Sequence, residues 1–389
     1  MIVQTFRNKI QGRLRYYANQ AALSRPLSLK PKGRSQGDVL VSYFQEPFQP
    51  SCDPSVLNTH SRYWESFQVA QTFLDLGYSV DVIDWRNRVF TPTKPYVVLI
   101  DPRDNVERLA PLVPKDCIKV FYIDVAHTLF NSRAEMDRMF ALQQRRGVTL
   151  KLRRFEYPNF GIEYADCGTM LGNDFTLRTF DYAKKPIYKI PMTPAMLFPW
   201  EDTKNYETCR RNFLWFGSYG LVHKGLDLVL EAFAQMPDCQ LTICGPIANE
   251  PDFVAAYERE LYHTPNIRTL GWVDVTGQKF REIVNSCAGF VYASSSEGQA
   301  GAVVTCMHAG LIPLITVECG VDIPSGAGTV LADCSIETIK QAVRNLAACP
   351  SEQLREMSRA NWEFARVHYT RDQYAKTYRE IAKQLLHLP

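Results

Sequence analysis

Short apolar runs alternate with amphipathic stretches from about residue 38 to the end of the chain. VLVSYF (39–44), YSVDVIDW (78–85), YVVLID (96–101), CIKVFYID (117–124) and CGTML (167–171) are too short for buried helices and read as strands. Between the first two, Tyr63, Phe67, Ala70, Phe73 and Leu74 recur at helical spacing until Gly77 stops the helix. The spacing predicts a parallel βαβ domain over 38–190. Residues 191–210 hold three prolines and little periodicity, and read as a linker.

The alternation restarts with FLWFG, a helix from Lys224 to Gln235, CQLTICG, a helix near 252–262 and NIRTLGWV. A helix over 276–286, AGFVYAS, a helix from about Ala302 to Ala309 and IPLIT complete the series. Three helices close the chain, near 335–347, 351–367 and 371–386. The expected fold class is α/β, with two Rossmann-like domains facing each other across a cleft and C-terminal helices. The expected divisions are an arm (1–37), an acceptor-side domain (38–190), the linker (191–210), a donor-binding domain (211–370) and a last helix (371–389) that packs back on the first domain. Ligands of such domains bind at strand C-terminal ends, here facing the cleft.

Composition narrows this picture. The 389 residues, 46% hydrophobic and 22% charged, exclude a disordered or fibrous chain. The net charge of +3 conceals a basic arm: residues 1–37 carry eight Lys and Arg and no acid, leaving −5 on the rest. That balance argues against a nucleic-acid partner, while Phe6, Ile10, Leu14 and Tyr17 between arginines allow weak contact with an anionic membrane surface. The bland reading of the arm is a solvated leader. Eleven cysteines without a C-x-x-C pair offer neither a zinc clip nor a disulfide framework, and fit a reducing cytoplasm. The opening MIVQTFRNKIQGRLRYY lacks the apolar region of a secretory signal, so none is expected, and no His, Asp or Glu set shows metal-ligand spacing.

Two loops carry candidate chemistry. In F216-G217-S218-Y219-G220-L221-V222-H223-K224-G225, between a strand and a helix, glycines let backbone N–H groups approach an anion and Lys224 adds a charge suited to a diphosphate. The alternative is an ordinary turn with an exposed lysine. In S294-S295-S296-E297-G298-Q299-A300-G301-A302, small residues around one carboxylate suit the hydroxyls of a sugar, although Glu297 could merely cap the next helix. Together the loops suit a nucleotide diphosphate sugar lying across the strand ends.

Residues 212–320 resemble the donor domain of retaining glycosyltransferases of family 4 (group 1), which have the two-Rossmann GT-B fold. The resemblance rests on FGSYGLVHKGLDLVLEAF, NIRTLGWV and SSSEGQAGAVVTCMHAGLIPLIT followed by GVD. In the first domain it rests on WESFQVAQTFLDLGYSVDVID and YADCGTMLGNDFT. It implies that a sugar leaves a nucleotide diphosphate for an acceptor hydroxyl, with retention and without metal or other cofactor. The acceptor is a sugar or a lipid-linked group. Lys224, with Gly217, Ser218 and Gly220, contacts the diphosphate; Trp272 and Val273 receive the base; Glu297 and the amides of Gly298, Gln299, Ala300 and Gly301 hold the sugar.

Two departures stand out. Ser218 occupies a position where the family often has Arg, and Thr305 one where it often has a ribose-binding Glu, whose two acceptor oxygens a hydroxyl cannot replace. By the same resemblance His127, with Lys224 and Glu297, belongs to the catalytic set. Acceptor-side candidates are His60, Glu65, Asp101 and Asp124, each with a structural alternative as a helix-end or core residue. Competing readings are a nucleotide-sugar epimerase and a catalytically silent sugar- or nucleotide-binding partner subunit. A cytoplasmic protein, peripheral at a membrane if the arm docks, is expected.

Overall fold

A computed structural model describes residues 25–49, 52–58 and 61–388. The helical face read in residues 6–17 and the candidate His60 lie outside them.

The first domain is a seven-stranded sheet in the order β1-β3-β2-β4-β5-β6-β7. Its strands are β1 (Leu27–Leu29), β2 (Asp38–Tyr43), β3 (Ser79–Asp84), β4 (Tyr96–Asp101), β5 (Ile118–Ile123), β6 (Cys167–Leu171) and β7 (Ile187–Ile190). All pairings are parallel except that of β1 on β3. Parallel strands covered on both faces need continuous apolar runs, and every residue of β3 and β6 is buried. The second domain is an all-parallel sheet in the order β10-β9-β8-β11-β12-β13. Its strands are β8 (Asn212–Phe216), β9 (Gln240–Cys244), β10 (Ile267–Gly271), β11 (Gly289–Tyr292), β12 (Ile312–Ile315) and β13 (Thr329–Val330). Both sheets reverse direction of winding at their first central strand, β2 and β8, as in doubly wound folds.

Among the described residues, helices of eight residues or more are α1 (Ser61–Asp75), α2 (Thr128–Arg146), α3 (Leu226–Phe233), α4 (Gln278–Asn285) and α5 (Gly301–His308), then α6 (Ile336–Ala348), α7 (Ser351–His368) and α8 (Arg371–Leu385). The pattern over 252–262 resolves into two short helices broken at Tyr257. The basic arm also contains a strand. Ser28 Oγ donates to Asp81 Oδ1 at 2.6 Å and seats β1 on the sheet edge. This strand, β7 and β13 lie at sheet edges and are too short to show alternation.

Two elements tie the domains together. Helix α2 begins on the first domain, capped by His127, and runs onto the second. There Leu142 enters the apolar core with Leu226 and Phe233. Arg145 pairs with Asp227 at 2.6 Å and Glu231 at 3.2 Å, Arg146 pairs with Glu260 at 2.8 Å, and Arg138 Nη2 donates to the Ala293 carbonyl at 3.0 Å. The following residues continue the contact: Lys151 N donates to Asp252, and Arg153 pairs with the same carboxylate at 2.5 Å.

In the opposite direction, α8 follows the second domain yet packs on the first. Its buried face of Tyr374, Tyr378, Ile381 and Ala382 joins the core of Val69, Phe73 and Val80. Tyr374 stands edge-on to Trp64 at 5.4 Å, and its hydroxyl lies 3.0 Å from that of Tyr122. Tyr374→Ala is expected to cost about 3–5 kcal/mol of stability, and Tyr374→Phe about 1 kcal/mol. Urea denaturation followed by tryptophan fluorescence checks this, and an unchanged midpoint for Tyr374→Ala would show that α8 is not docked.

Candidate active site

The two chemistry-bearing loops leave adjacent strands, β8 and β11, which pair in parallel. Gly225 ends the first loop with φ 73°, and a Cβ there would stand 2.3 Å from the Ala293 carbonyl oxygen. Only glycine fits both that conformation and that approach. The contact brings Lys224 against the second loop. Its Nζ donates to Glu297 Oε1 at 2.5 Å and to the Tyr292 hydroxyl at 3.0 Å. Tyr292 and Ser294 donate to the same Oε1 at 3.1 and 3.4 Å.

Burial alone would raise the Glu297 pKa, but Lys224 and Arg154 outweigh it and bring it down to about 2. Glu297 is therefore an anion throughout the physiological range. Its depressed pKa contributes stability above the ordinary value of 4.5, lost only as pH falls through about 2. His223, fully buried, is the opposite case: burial lowers its pKa to about 3 and keeps the ring neutral. Its Nε2 lies 2.6 Å from the Ser296 carbonyl oxygen, which accepts the ring proton.

The glycine loop is occupied differently from the expectation. Gly220 N and Leu221 N both point at the buried Glu250 carboxylate, at 2.5 and 3.2 Å. Gly217 N donates to the Cys244 carbonyl at 3.1 Å. An anion does sit on the loop amides, but it is one of the protein's own side chains. Ser218 is exposed, Thr305 is buried on α5, Val273 is buried, and Trp272, 71% exposed, stands open at the end of β10.

The sugar-type loop also forms part of the domain interface. A Cβ on Gly298 would lie 2.5 Å from the Asp124 carbonyl oxygen and 2.8 Å from that of Leu171, both in the first domain. Thr176 Oγ1 donates to the Gly298 carbonyl at 2.8 Å. The Gln299 side chain accepts from the Met192 amide at 2.5 Å and donates to the Gly320 carbonyl at 3.3 Å, so both ends of its amide are engaged. Ala300 N donates to the Cys319 carbonyl, and Gly301 opens α5.

Beside this contact lies a cavity of about 540 Å³ between the domains, walled by Tyr43, Trp85, Tyr157 and Tyr219 with Arg62, Arg103, Arg154 and Asp124. Asp124 joins two of these arginines. It pairs with Arg103 at 2.6 Å and Arg62 at 3.0 Å. Burial would raise its pKa, yet the two guanidinium groups hold it below the usual carboxylate range.

Three other candidates do not reach the cavity. Asp101 is fully buried and accepts from the amides of Arg103, Asn105 and Val106, capping the short helix Asn105–Leu109. Glu65 is fully buried one layer behind the cavity, accepting from Tyr122 at 3.2 Å and Tyr43 at 3.3 Å. The His127 ring accepts from Leu129 N at 3.4 Å and meets the Tyr182 hydroxyl at 2.8 Å, which in turn donates to Glu163. Its fixed partners are thus its own helix and an outer tyrosine. Among the described residues no cluster of three or more His, Cys, Asp or Glu could hold a metal ion, and no helix is long and apolar enough to cross a membrane.

Sequence reading missed Tyr292, Glu250, Arg62, Arg103 and Arg154. The first sits inside an apolar strand, and the others belong to no motif; only the basic run K151-L-R-R ahead of aromatic residues marks Arg154.

Two Rossmann-like domains enclosing such a cleft define the GT-B fold. Residues 210–349, which contain the whole second sheet, match the family model described as Glycosyl transferases group 1. No curated protein gives a significant sequence match. Among solved structures, sucrose-phosphate synthase from Thermosynechococcus elongatus aligns over 90% of this chain and 99% of its own, with TM-score 0.63 and 12% identity. HepE of Anabaena, in complex with UDP and glucose, aligns over 91% and 100%, with TM-score 0.56 and 10% identity. The N-terminal domain of Candida albicans trehalose-6-phosphate phosphatase aligns over 93% and 99%, with TM-score 0.55 and 10% identity. At these identities the likeness establishes the shared fold.

Lys224→Met leaves Glu297 buried without its partner and is expected to cost about 3–5 kcal/mol, while Lys224→Met with Glu297→Gln recovers most of the loss. Thermal unfolding of the single and double variants tests this, and additive losses would refute a coupled pair. Burial raises the Glu65 pKa from 4.5 to about 7. Its contribution is therefore fully present below about pH 4.5 and lost as pH rises through about 7, a difference of roughly 3 kcal/mol. Glu65→Gln should flatten the fall in stability between about pH 5 and about pH 8; an unchanged slope would place the titration elsewhere.

Proposed function

We propose that the chain transfers a glycosyl unit from a nucleotide diphosphate sugar to an acceptor hydroxyl, with retention at the anomeric carbon. The observation that carries this reading is the buried Lys224–Glu297 pair at the strand ends of a glycosyl transferases group 1 domain, placed where the first domain closes on it. HepE, of the same fold, was solved with UDP and glucose.

In this reading negative charge grows on the departing diphosphate, and stabilising it matters more than a strong base. Lys224 and the N-terminus of α3 favour that charge. Glu297 Oε1 is taken by Lys224, Tyr292 and Ser294, which leaves Oε2 for sugar hydroxyls. Trp272, exposed at the end of β10, offers an aromatic face to the base. The acceptor enters the 540 Å³ cavity, and the close contact of Gly298 with the first domain keeps competing water out. Side-chain cations serve the diphosphate, so the reaction is expected to run without a divalent metal.

A specific observation supports a second reading. Glu250 already fills the Gly220 and Leu221 amides, as expected of a silent nucleotide or sugar binder. The deciding experiment is release of nucleoside diphosphate from a panel of nucleotide sugars, with sugar and lipid-linked acceptors, in the presence of EDTA. Release that persists in EDTA and falls about 10²–10³-fold in Lys224→Ala is expected. Nucleotide binding without release from any donor would establish the silent reading. An isomeric nucleotide sugar formed without acceptor would establish an epimerase, and unchanged release in Lys224→Ala would remove Lys224 from the site.

A further inference from the structure

A diphosphate carries charge that needs cations or amides, and most such groups around this cleft are already engaged. Lys224 is paired with Glu297. The amides of Gly220 and Leu221 hold Glu250. Across the cavity, Arg103 and Arg62 share Asp124. Arg154 differs from these: among the described residues no carboxylate lies within salt-bridge distance of it, and its buried Nε has no hydrogen-bond partner.

The position of Arg154 is fixed from behind. Its own amide and that of Arg153 donate to the buried Glu135 Oε1 at 2.7 and 2.6 Å, and its carbonyl accepts from Asn131 Nδ2 at 2.7 Å. Both partners are on α2. The side chain then crosses to the second domain and lies on the glycine loop, where a Cβ on Gly220 would stand 2.7 Å from its Cγ. The guanidinium covers the Tyr219 ring at 5.1 Å, and its Nη1 donates to the Tyr219 hydroxyl at 3.0 Å. A phenol is a weak claim on a guanidinium, whose planar fork suits phosphate oxygens. Arg154 and Tyr219 both face the interdomain cavity.

We propose that Arg154, carried by the first domain, is the cation that grips the donor's diphosphate from across the cleft. This rests on the glycosyltransferase reading and adds a residue to it. With Ser218 uncharged and Lys224 already paired with Glu297, the loop offers no unpaired cation of its own, and the opposite domain supplies one. The leaving-group site is then complete only when the domains are together, because Lys224 and Arg154 belong to different domains. Departure of the diphosphate is thereby coupled to closure.

The experiment is calorimetric titration of the full chain and of Arg154→Gln and Arg154→Lys with UDP, GDP, ADP, inorganic pyrophosphate and the three nucleosides. The expected result is a loss of about 10–100-fold in diphosphate affinity for Arg154→Gln, with nucleoside affinity unchanged and partial recovery in Arg154→Lys. With a donor that turns over, kcat falls more than KM rises. Equal loss for nucleoside and diphosphate, or no loss, would overturn the proposal while leaving the glycosyltransferase reading intact. If the wild-type chain binds no diphosphate, that reading itself fails, and the proposal with it. Should Arg154→Gln unfold, the comparison is made on Arg154→Lys, where undiminished diphosphate affinity would count against the fork geometry and the proposal.

Discussion

The attachment of α2 to the opposite domain is the interaction on which the site depends. A helix that starts in one Rossmann-like unit and ends in the core of the other fixes both the distance and the orientation between them. Its arginines meet carboxylates on α3 and on the short helices after β9, and these pairs are only partly exposed. Each exposed pair is worth little. Their alignment along one helix, with Leu142 buried beneath them, turns separate contacts into one seam. The approach of Gly298 to the Asp124 and Leu171 carbonyls and the placement of Arg154 on Gly220 both follow from that seam.

Charge pairing is the second constraint. Burying a carboxylate or an ammonium is costly unless each finds its partner, and the cleft solves this in duplicate. Glu297 is neutralised by Lys224 on one side, and Asp124 by Arg62 and Arg103 on the other. Glu65, with no cation at contact distance among the described residues, has its pKa raised instead and leans on tyrosine hydroxyls. A cleft organised in this way stays folded without ligand, and a charged ligand must either displace an internal partner or use a group left over.

Much of the architecture was legible because a parallel sheet needs uninterrupted apolar strands. Runs such as YVVLID and CGTML coincide with β4 and β6, and the closing helices fall within a residue or so of α6, α7 and α8. The edge strands β1, β7 and β13 were not legible, since two to four residues cannot display a period. In the site, Lys224 and Glu297 stood out because each occupies a strand-to-helix loop rich in small residues. Their mutual contact did not: it arises from the approach of Gly225 to Ala293, a tertiary fact. Asp101 and Glu65 looked equally available in sequence. A strand-end carboxylate caps the next helix as readily as it meets a ligand, and a carboxylate on a helix start is buried whenever another helix, here α8, covers it.

The arrangement of Glu250 and Arg154 sets a carboxylate on the amides of the glycine loop and a guanidinium against Gly220, although the loop has no basic residue at Ser218. Glu250 holds the Gly220 and Leu221 amides, so the loop keeps its curvature without a bound phosphate. It also places a negative charge beneath the loop, which by itself would repel a diphosphate. Arg153 reaches toward Glu250 at 3.8 Å from the neighbouring position of the same segment. One arginine therefore lies toward the carboxylate that holds the loop amides, while the next lies against Gly220 and Tyr219. Two successive arginines thus bring the segment after α2 onto the glycine loop of the second domain, although it belongs by sequence to the first.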